Sequence, residues 1–453
     1  MATKASDLPR SSGLSYQELL DTDPVAPPAV LRLENPYQSE LTSVPVSRYA
    51  DPKYHQLEMQ NLWARVWQMA CREEEIPQVG DYILYEIGPF SIIVVRTKQG
   101  IQAHHNVCRH RGRRLKDFDG HTANFICPFH GFSWNLDGSV RGITSDWDFP
   151  QIDKSEFGLT PVQADTWGGW VFINMDLTAG PLADFIHDLA EHFEDWHPEA
   201  RYIEAHVGKV MKCNWKAAQE AFMEAFHVIT THPQLLAGIG DENSQYDVWG
   251  NLSRAITPNA TPSPHIKWDP TQQDVLEAVS MRDLDGPDMP ALPAGTTARA
   301  AMAAMAREGL QSIVGQDVTL SDAELSDSIY YTQFPNFHPW GGTNRIVYRF
   351  RPWGNRHDRC LMECYYLSPF AGERPAPAKM HFLGEDDPWI DAPELGMLAK
   401  VFTQDTFNLP QVQAGLESAP FDEVVFASYQ ESKLRHFHDL LTQWVDQPAS
   451  VEG

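Results

Sequence analysis

Two short pairs of cysteine and histidine stand out, because both residue types bind metal ions. The first pair is Cys108-x-His110, and the second, sixteen residues further on, is Cys127-x-x-His130. Thiolates suit iron–sulfur clusters and zinc, and imidazole suits either. Four ligands at paired spacing rarely coincide by chance. The sequence therefore predicts one metal centre held by two loops.

The residues around these pairs bear on which metal is bound. In the Rieske arrangement of a [2Fe–2S] cluster, two cysteines bind one iron and two histidines bind the other. A structural zinc site is the alternative. Gly112 and Gly131 each follow a pair closely, and a glycine there lets backbone N–H groups approach the sulfurs. This context favours the cluster over zinc.

A second group of ligand-type residues lies in residues 211–232, which we call the histidine segment and which read as one helix. Glu220, Glu224 and His227 then fall at i, i+4 and i+7 and share one face. Carboxylates and an imidazole on a largely apolar helix are costly unless a metal or other partners satisfy them. The segment thus predicts a second metal site.

His232 and a distant aspartate could complete that site. An ideal helix would turn His232 away from His227, but Pro233 disfavours helical backbone at His232, so the helix should loosen there. Asp405 lies within an apolar stripe of a helix expected at about 393–409. It either binds the metal or bonds the local backbone near Pro410. Two imidazoles and one carboxylate form the facial triad of non-haem Fe(II) oxygenases.

The surrounding elements predict how these residues are positioned. Residues 1–45 are expected to form an extended arm, followed by a helix that starts at Asp51-Pro52. Short strands such as 81–87 and 91–96 predict a small antiparallel β domain. Residues 255–325, which contain a helical stretch near 297–314, suggest a flap over a cavity. Further strands are expected around 344–351 and 358–368, and a last helix at 421–446.

Bulk properties exclude several classes of protein. The chain has 453 residues, six cysteines and a net charge of -26. So few cysteines do not make a disulfide scaffold, and so negative a chain is a poor partner for nucleic acid or anionic membranes. No signal peptide or membrane span is evident, so a cytoplasmic location is expected. One basic island interrupts the acidic sequence; its residues are Arg109, Arg111, Arg113, Arg114 and Lys116.

Taken together, the two motifs resemble the alpha subunit of the Rieske-type ring-hydroxylating oxygenases over about residues 45–445. The resemblance implies an α+β fold with an N-terminal Rieske β domain and a C-terminal catalytic domain, whose large antiparallel sheet is covered by helices. The expected bounds are 1–45 for the arm, 46–165 for the Rieske domain and 166–453 for the catalytic domain. The matching positions are Cys108, His110, Cys127 and His130 for the cluster, His227, His232 and Asp405 for mononuclear iron, and Glu224 for the acid that bridges the two centres.

The resemblance also implies a function and partners. A reductase, with or without a ferredoxin, would pass electrons from NADH or NADPH to the cluster and on to the mononuclear Fe(II), where O2 is the co-substrate. In the family the bridging acid joins a cluster histidine, by analogy His130, to an iron histidine of the neighbouring subunit. This implies a trimer, either of this chain alone or with beta subunits.

The expected substrate is an aromatic or other apolar ring compound. Oxidative N- or O-demethylation or quaternary-amine cleavage is the alternative. Many dihydroxylating members have Asp at the position of Glu224, whereas a Glu there is similar to the oxygenases that act on carnitine and glycine betaine. Several dioxygenases also carry Glu-Asn where this chain has Gln219-Glu220. A redox sensor with an inactive catalytic fold is a third possibility, against which the intact set of iron ligands argues.

Overall fold

The structure is a computed structural model that describes residues 11, 13–280, 289 and 291–446. With these gaps, the described residues form two compact units. The larger unit comprises residues 11–54, 186–351 and 357–446, and the smaller comprises residues 55–185 and 352–356. Every helix in the described part of the chain is too short or too polar to cross a bilayer.

The smaller unit is the predicted small β domain, with one sheet of seven strands and one of three. The predicted hairpin is confirmed, because Asp81–Ile87 pairs antiparallel with Phe90–Thr97. Gly88 makes its turn at φ +53, which glycine adopts without steric strain. The seven strands are, in order across the sheet, Gln68–Arg72, Trp170–Asn174, Pro161–Trp167, Gly100–His105, Phe90–Thr97, Asp81–Ile87 and Gly120–His121; the three are Phe125–Ile126, Ser133–Trp134 and Val140–Gly142.

The larger unit contains a sheet of eight strands. Its longest pairing, Arg201–Met211 with Cys360–Pro369, is antiparallel, while the edge strand His381–Leu383 pairs parallel. Most side chains of these strands are buried, as expected of a sheet covered on its faces. The order across the sheet is Gln245–Trp249, Leu252–Thr257, Ser328–Gln333, Phe337–Pro339, Ile346–Pro352, Cys360–Pro369, Arg201–Met211 and His381–Leu383.

The helices depart from the sequence predictions in two places outside the histidine segment. The helix expected at about 393–409 is Leu398–Glu417, here called the aspartate helix; it continues past Pro410, and Gln413 anchors the extension by accepting the Asn214 N–H. The helix expected from residue 421 begins only at Ser432, because Glu423–Val425 pairs with the strand Ser43–Pro45 instead. The other α-helices are Tyr16–Leu20, Ser47–Ala50, Pro52–Leu57, Leu182–Phe185, His187–His192, Trp215–Glu220, Val228–Thr231, Gln272–Val279, Ala298–Val314, Asp322–Ser326 and Ser432–Leu441.

Two of the expected segments fall partly outside the described residues. These are residues 1–10 and 12 of the arm, and 281–288 and 290 of the expected flap. Within the flap, the helical stretch expected near 297–314 is confirmed as Ala298–Val314. The arm contains the short helix Tyr16–Leu20, which begins with a capping box made by Ser15 and Glu18. The flap function and the domain bounds stay predictions.

A buried ion pair fastens the arm to the larger unit. The Asp23 carboxylate is fully buried and accepts a hydrogen bond from Nε of Arg299 at 3.0 Å. The same guanidinium donates to Oδ1 of Asp327 at 2.7 Å. We expect Asp23→Ala to lower the free energy of unfolding by about 3 kcal/mol, because it leaves a buried guanidinium only partly neutralised. Urea denaturation measures the loss.

The same arm offers a matched control. Asp21 lies 2.9 Å from Arg32, but the side chains are 70% and 37% exposed. Asp21→Ala should therefore cost less than about 1 kcal/mol, as is usual for an exposed pair. Equal losses for the two variants would show that the buried pair does not hold the arm.

Candidate functional site

The two cysteine–histidine pairs occupy two closely similar turns. In the first, the Cys108 N–H donates to the Arg113 carbonyl and the Gly112 N–H donates to the Cys108 carbonyl. In the second, Cys127 N–H donates to the carbonyl of residue 132, and the N–H of residue 131 donates back to Cys127. Gly112 and Gly131 adopt φ +74 and φ +75, which glycine favours. The glycines thus close both turns around their cysteines.

The turns bring four metal-binding side chains together. Cys108 and Cys127 are buried, and their thiols are close enough to hydrogen-bond. The rings of His110 and His130 lie 4.6 Å apart, and the buried Nδ1 atom of each has no hydrogen-bond partner. Two sulfurs and two free ring nitrogens are the donor set of a Rieske cluster, so the residues fit that group.

The backbone around Cys108 also suits a thiolate. Burial raises the pKa of the Cys108 thiol, while backbone N–H groups of His110 and Arg111 donate to its sulfur and oppose that rise. Such N–H groups stabilise negative charge on a cluster sulfur. The expectation that backbone N–H groups approach the sulfur is confirmed for this loop.

The histidine segment is not the continuous helix that the sequence predicted. It forms Trp215–Glu220, then an irregular stretch, then Val228–Thr231. Two side chains replace the missing helical acceptors in this stretch: the Ala225 N–H donates to the Tyr246 hydroxyl, and the His227 N–H donates to the Glu224 carboxylate. The prediction of one continuous helix was therefore wrong, although Glu220, Glu224 and His227 still face the same cavity.

The predicted release of the chain at Pro233 is confirmed. His232 ends the second short helix at φ -126 and ψ 51, outside the helical region. Its ring centroid lies 5.4 Å from that of His227. Oδ1 of Asp405 lies 2.6 Å from Nε2 of His232 and 3.5 Å from Nε2 of His227. One nitrogen or oxygen from each residue falls within 4.8 Å of the others, so the three fit one metal ion.

The second nitrogen of each imidazole has its own partner. Nδ1 of His227 lies 2.7 Å from Oε1 of Glu224. Nδ1 of His232 lies 2.9 Å from Oε1 of Gln404. Such contacts turn both Nε2 atoms toward Asp405, where a metal can replace their hydrogen bonds to the carboxylate. Asp405 bonds the two imidazoles rather than capping the backbone at Pro410, and this favours its interpretation as a ligand.

Charge within the triad is balanced without a metal. Burial lowers the pKa of His227, but the carboxylates of Glu224 and Asp405 outweigh it and raise the pKa to about 10. Burial alone would raise the pKa of Asp405, yet hydrogen bonds from His227 and His232 hold it below its ordinary value. His227 is therefore cationic in the metal-free protein, and a metal that binds there must displace this proton.

A cavity of about 270 Å³ opens beside the triad. Its lining includes the carboxylates of Glu220, Glu224, Asp405 and Glu431 but no lysine or arginine. Burial raises the pKa of Glu431 to about 7, and the charges of Glu224 and Glu220 add to the rise against the Ala427 N–H. The cavity is thus strongly acidic around an otherwise apolar lining.

An aromatic cluster adjoins the triad along the chain. The Phe222 ring lies 5.3 Å from Tyr348, 5.3 Å from Phe350 and 5.9 Å from Phe402. Burial raises the pKa of Tyr348, and the charge of Asp405 adds to the rise. By contrast, the Phe334 ring stacks on Trp444 and packs at a tilt against Phe437.

Sequence reasoning missed four residues that hold the site. Gln404 and Gln234 accompany His232, while Tyr49 and His438 both hydrogen-bond the Glu220 carboxylate. Gln404 directly precedes Asp405 and Gln234 lies two residues after His232, and those positions could have drawn attention to them. Tyr49 and His438 are distant in the sequence and gave no such signal.

Two family profiles match the two parts of the chain that carry these groups of ligand-type residues. The profile described as the Rieske [2Fe-2S] domain matches residues 66–151. The profile described as the ring hydroxylating alpha subunit (catalytic domain) matches residues 188–447, more than half of the chain. These matches confirm the predicted fold class, with the Rieske domain ahead of the catalytic domain, and they imply both a [2Fe–2S] cluster and a mononuclear iron.

Several proteins and structures are similar to this chain. The glycine betaine monooxygenase oxygenase subunit of Pseudomonas aeruginosa is 33% identical over 198 residues, 43% of this chain and 46% of that protein. The large oxygenase component of the Pseudomonas putida naphthalene 1,2-dioxygenase system is 32% identical over 197 residues, 42% and 44% respectively. The aligned segments thus span less than half of these relatives.

Solved structures show the same fold. A quaternary ammonium Rieske monooxygenase in complex with L-carnitine matches with a TM-score of 0.63 at 16% identity, covering 89% of this chain and 96% of that one. Naphthalene 1,2-dioxygenase with indole bound matches with a TM-score of 0.61 at 19% identity, covering 88% and 90%.

Proposed function

Because the chain belongs to the family of ring-hydroxylating alpha subunits, we propose that it is a terminal oxygenase that uses O2 and reductase-supplied electrons to hydroxylate an aromatic or other apolar ring compound. The observation that carries this proposal is the triad of His227, His232 and Asp405. Outside the triad, Glu224 hydrogen-bonds Nδ1 of His227. Two imidazoles and one carboxylate leave coordination positions open for O2.

Two groups of residues would hold the cofactors. Cys108, His110, Cys127 and His130 would hold the [2Fe–2S] cluster, and the triad would hold Fe(II). When bound, the cluster would supply single electrons and the mononuclear iron would activate O2. Buried donors without hydrogen-bond partners support the first assignment, and the spacing of the three ligand atoms supports the second.

Replacement of one cluster ligand tests the first assignment. We expect Cys108→Ser to abolish the visible absorption and the reduced-state EPR signal of the cluster, because the hydroxyl is a much poorer iron ligand than the thiolate. Cys71→Ser is the control, since Cys71 is also a buried cysteine of the smaller unit but has no histidine beside it. An intact signal in Cys108→Ser would contradict the assignment, as would zinc in the purified wild-type protein.

Glu224 would link the two centres. Its carboxylate both bonds His227 and lines the acidic cavity. In the proposed trimer, it would accept a hydrogen bond from His130 of a neighbouring copy, so that electrons pass from His130 through Glu224 to His227. The mass of the purified assembly would distinguish a trimer of this chain alone from one that also contains beta subunits.

The aromatic cluster supports an apolar ring as substrate. Phe222 lies five residues before His227, and Phe402 lies three before Asp405, so the ligand-bearing segments also carry aromatic rings. Aromatic side chains bind apolar rings through stacked or edge-to-face contacts. Apart from Phe222 these rings are buried, so a substrate in the cavity would contact its apolar lining, which would exclude water without offering many hydrogen bonds; this lining includes Leu409, Val412, Leu416, Phe426 and Leu434.

Oxidation of a quaternary or other methylated amine is the second candidate. The observation that favours it is the cavity lining, which has four carboxylates and no basic side chain except His227. Such a lining attracts a cation. The similar proteins include oxygenases of glycine betaine and carnitine as well as naphthalene.

Product analysis decides between the two candidates. The holoenzyme would be supplied with a surrogate reductase, NADH and a panel of aromatic compounds and methylated amines in labelled O2. A ring substrate should yield a product that retains label in one or two new hydroxyl groups, whereas demethylation should release an aldehyde. If holoenzyme with both centres loaded shows no substrate-dependent O2 uptake, the oxygenase proposal fails and a sensor becomes the better interpretation.

The basic island would contribute to docking of an acidic reductase or ferredoxin. Part of it already has local partners: Arg113 pairs with Asp117, and Arg114 pairs with Glu86. Arg109 donates to two backbone carbonyls. These contacts support the alternative that the island balances local charge. Strong salt dependence of cluster reduction would support docking, because complementary charge steers association.

A further inference from the structure

We propose that Gln404 and Gln234 form a positioning pair that fixes the ring orientation and tautomer of His232. We also propose that this pair, because it is neutral, keeps the ferrous state of the bound iron accessible. The inference rests on the proposed function in taking His232 as an iron ligand. It concerns residues outside the triad of His227, His232 and Asp405.

The contacts define the direction of both amides. Oε1 of Gln404 lies 2.9 Å from Nδ1 of His232 and also accepts from Nε2 of Gln234 at 2.9 Å. Nε2 of Gln404 donates back to Oε1 of Gln234 at 3.5 Å. Turning over the Gln404 amide alone would bring two N–H₂ groups together and lose both bonds of the pair, so the two amides can turn over only together. Gln234 is thus coupled to the direction of Gln404, whose oxygen faces His232.

This direction decides which nitrogen of His232 keeps its proton when a metal binds. An amide oxygen can only accept, so Nδ1 must be the N–H donor. Nε2 is then the nitrogen that offers its lone pair to the metal; in the metal-free structure it lies 2.6 Å from Oδ1 of Asp405 in a hydrogen bond that the metal would displace. His232 is 3% exposed, so the ring has little freedom to turn and find another partner. The pair thus presents Nε2 to the metal.

The two histidines consequently differ in the charge behind them. His227 is backed by the carboxylate of Glu224, whereas His232 is backed by a neutral amide. A divalent iron together with Asp405 and Glu224 is neutral overall. A second carboxylate behind His232 would make the imidazole a stronger donor and add one negative charge, which favours ferric over ferrous iron. The glutamine keeps the ferrous state accessible to electrons from the cluster.

Two substitutions separate positioning from charge. Gln404→Leu removes the acceptor and should lower the affinity of the metal-free triad for Fe(II) by about 10- to 100-fold. Gln404→Glu keeps an acceptor in place, so Fe(II) affinity should return to within a few-fold of wild type, while the midpoint potential of the mononuclear iron should become more negative. Gln234→Leu should have the effect of Gln404→Leu in weaker form, because Gln404 keeps its place but loses its orientation.

Metal binding, not turnover, is the readout. Fe(II) affinity would be measured by chelator competition, and Co(II) would serve as a spectroscopic probe of ligand geometry at the same site. Gln411→Leu is the matched control, since Gln411 is an exposed residue of the same helix. Wild-type Fe(II) affinity in Gln404→Leu, or an equal loss in Gln411→Leu, would overturn the proposal, as would a Gln404→Glu variant with unchanged potential.

The outcome is distinct from failure of the proposed function. If the wild-type chain bound no Fe(II) or Co(II) at the triad, the proposed function itself would fail. If the wild type bound both metals and the three glutamine variants matched it, only the positioning pair would be rejected.

Discussion

Replacing Glu224 with glutamine is expected to lower the rate of product formation by at least about 100-fold while both metal centres remain in place. The carboxylate lies 2.7 Å from Nδ1 of His227 and also faces the acidic cavity. Glutamine has nearly the same shape but lacks the negative charge. That charge makes His227 a stronger ligand for the metal and favours electron transfer through its ring. We therefore expect the loss in the step between the centres, and single-turnover kinetics would measure it as slow reoxidation of the reduced cluster.

The control for this substitution is another carboxylate near the same cavity. Glu423 is exposed and adjoins Val424 of the cavity lining, so Glu423→Gln removes a charge without touching His227. It should keep turnover within about two-fold of wild type, as is usual for an exposed surface change. Normal turnover in Glu224→Gln, with intact spectra for cluster and iron, would remove Glu224 from the route.

Replacing Asp405 with alanine is expected to abolish turnover by emptying the mononuclear site. The carboxylate is 5% exposed, and its Oδ1 contacts Nε2 of both His227 and His232. Two imidazoles without the carboxylate are a much weaker site for a hard divalent ion. Iron content should fall from about three to about two atoms per chain, with the cluster EPR signal unchanged.

Asn408 provides the control, because it lies on the same helix and lines the same cavity. Asn408→Ala should keep the full iron content. Full iron content in Asp405→Ala would show that the carboxylate is not a ligand and would return it to a structural role. Loss of both centres in that variant would indicate unfolding, and thermal denaturation of the variant would detect it.

Local sequence patterns were reliable wherever ligands are close together in the chain. The spacing of Cys108, His110, Cys127 and His130 predicted one centre, and two turns with matching hydrogen bonds bring these side chains together. A turn of this size is determined by its own few residues, including the glycines that can adopt positive φ. Pro233 likewise released His232 from the helix, because its ring restricts the residue before it.

Patterns failed where distant residues compete with local preference. The helix expected through residue 227 breaks where the Tyr246 hydroxyl, 21 residues further along the chain, accepts the Ala225 N–H that a helix would otherwise pair internally. Likewise, Glu423–Val425 reads as part of a helix, but pairing with Ser43–Pro45 makes it a strand. Such long-range partners override local propensity and leave no local signal.

The sequence by itself determined the kinds of centre that this chain holds, since the ligand types and their spacing select an iron–sulfur cluster and a facial triad. It also determined that Asp405 was the candidate third ligand. Only the tertiary structure decided which atoms face each metal and what stands behind them. Those are the choice of Nε2 over Nδ1 and of an amide behind His232, whereas Glu224, the carboxylate behind His227, was already a candidate from the sequence. The reason is physical: ligand identity is a property of side chains, whereas orientation depends on neighbours such as Gln404, which lies 172 residues from His232 in the chain.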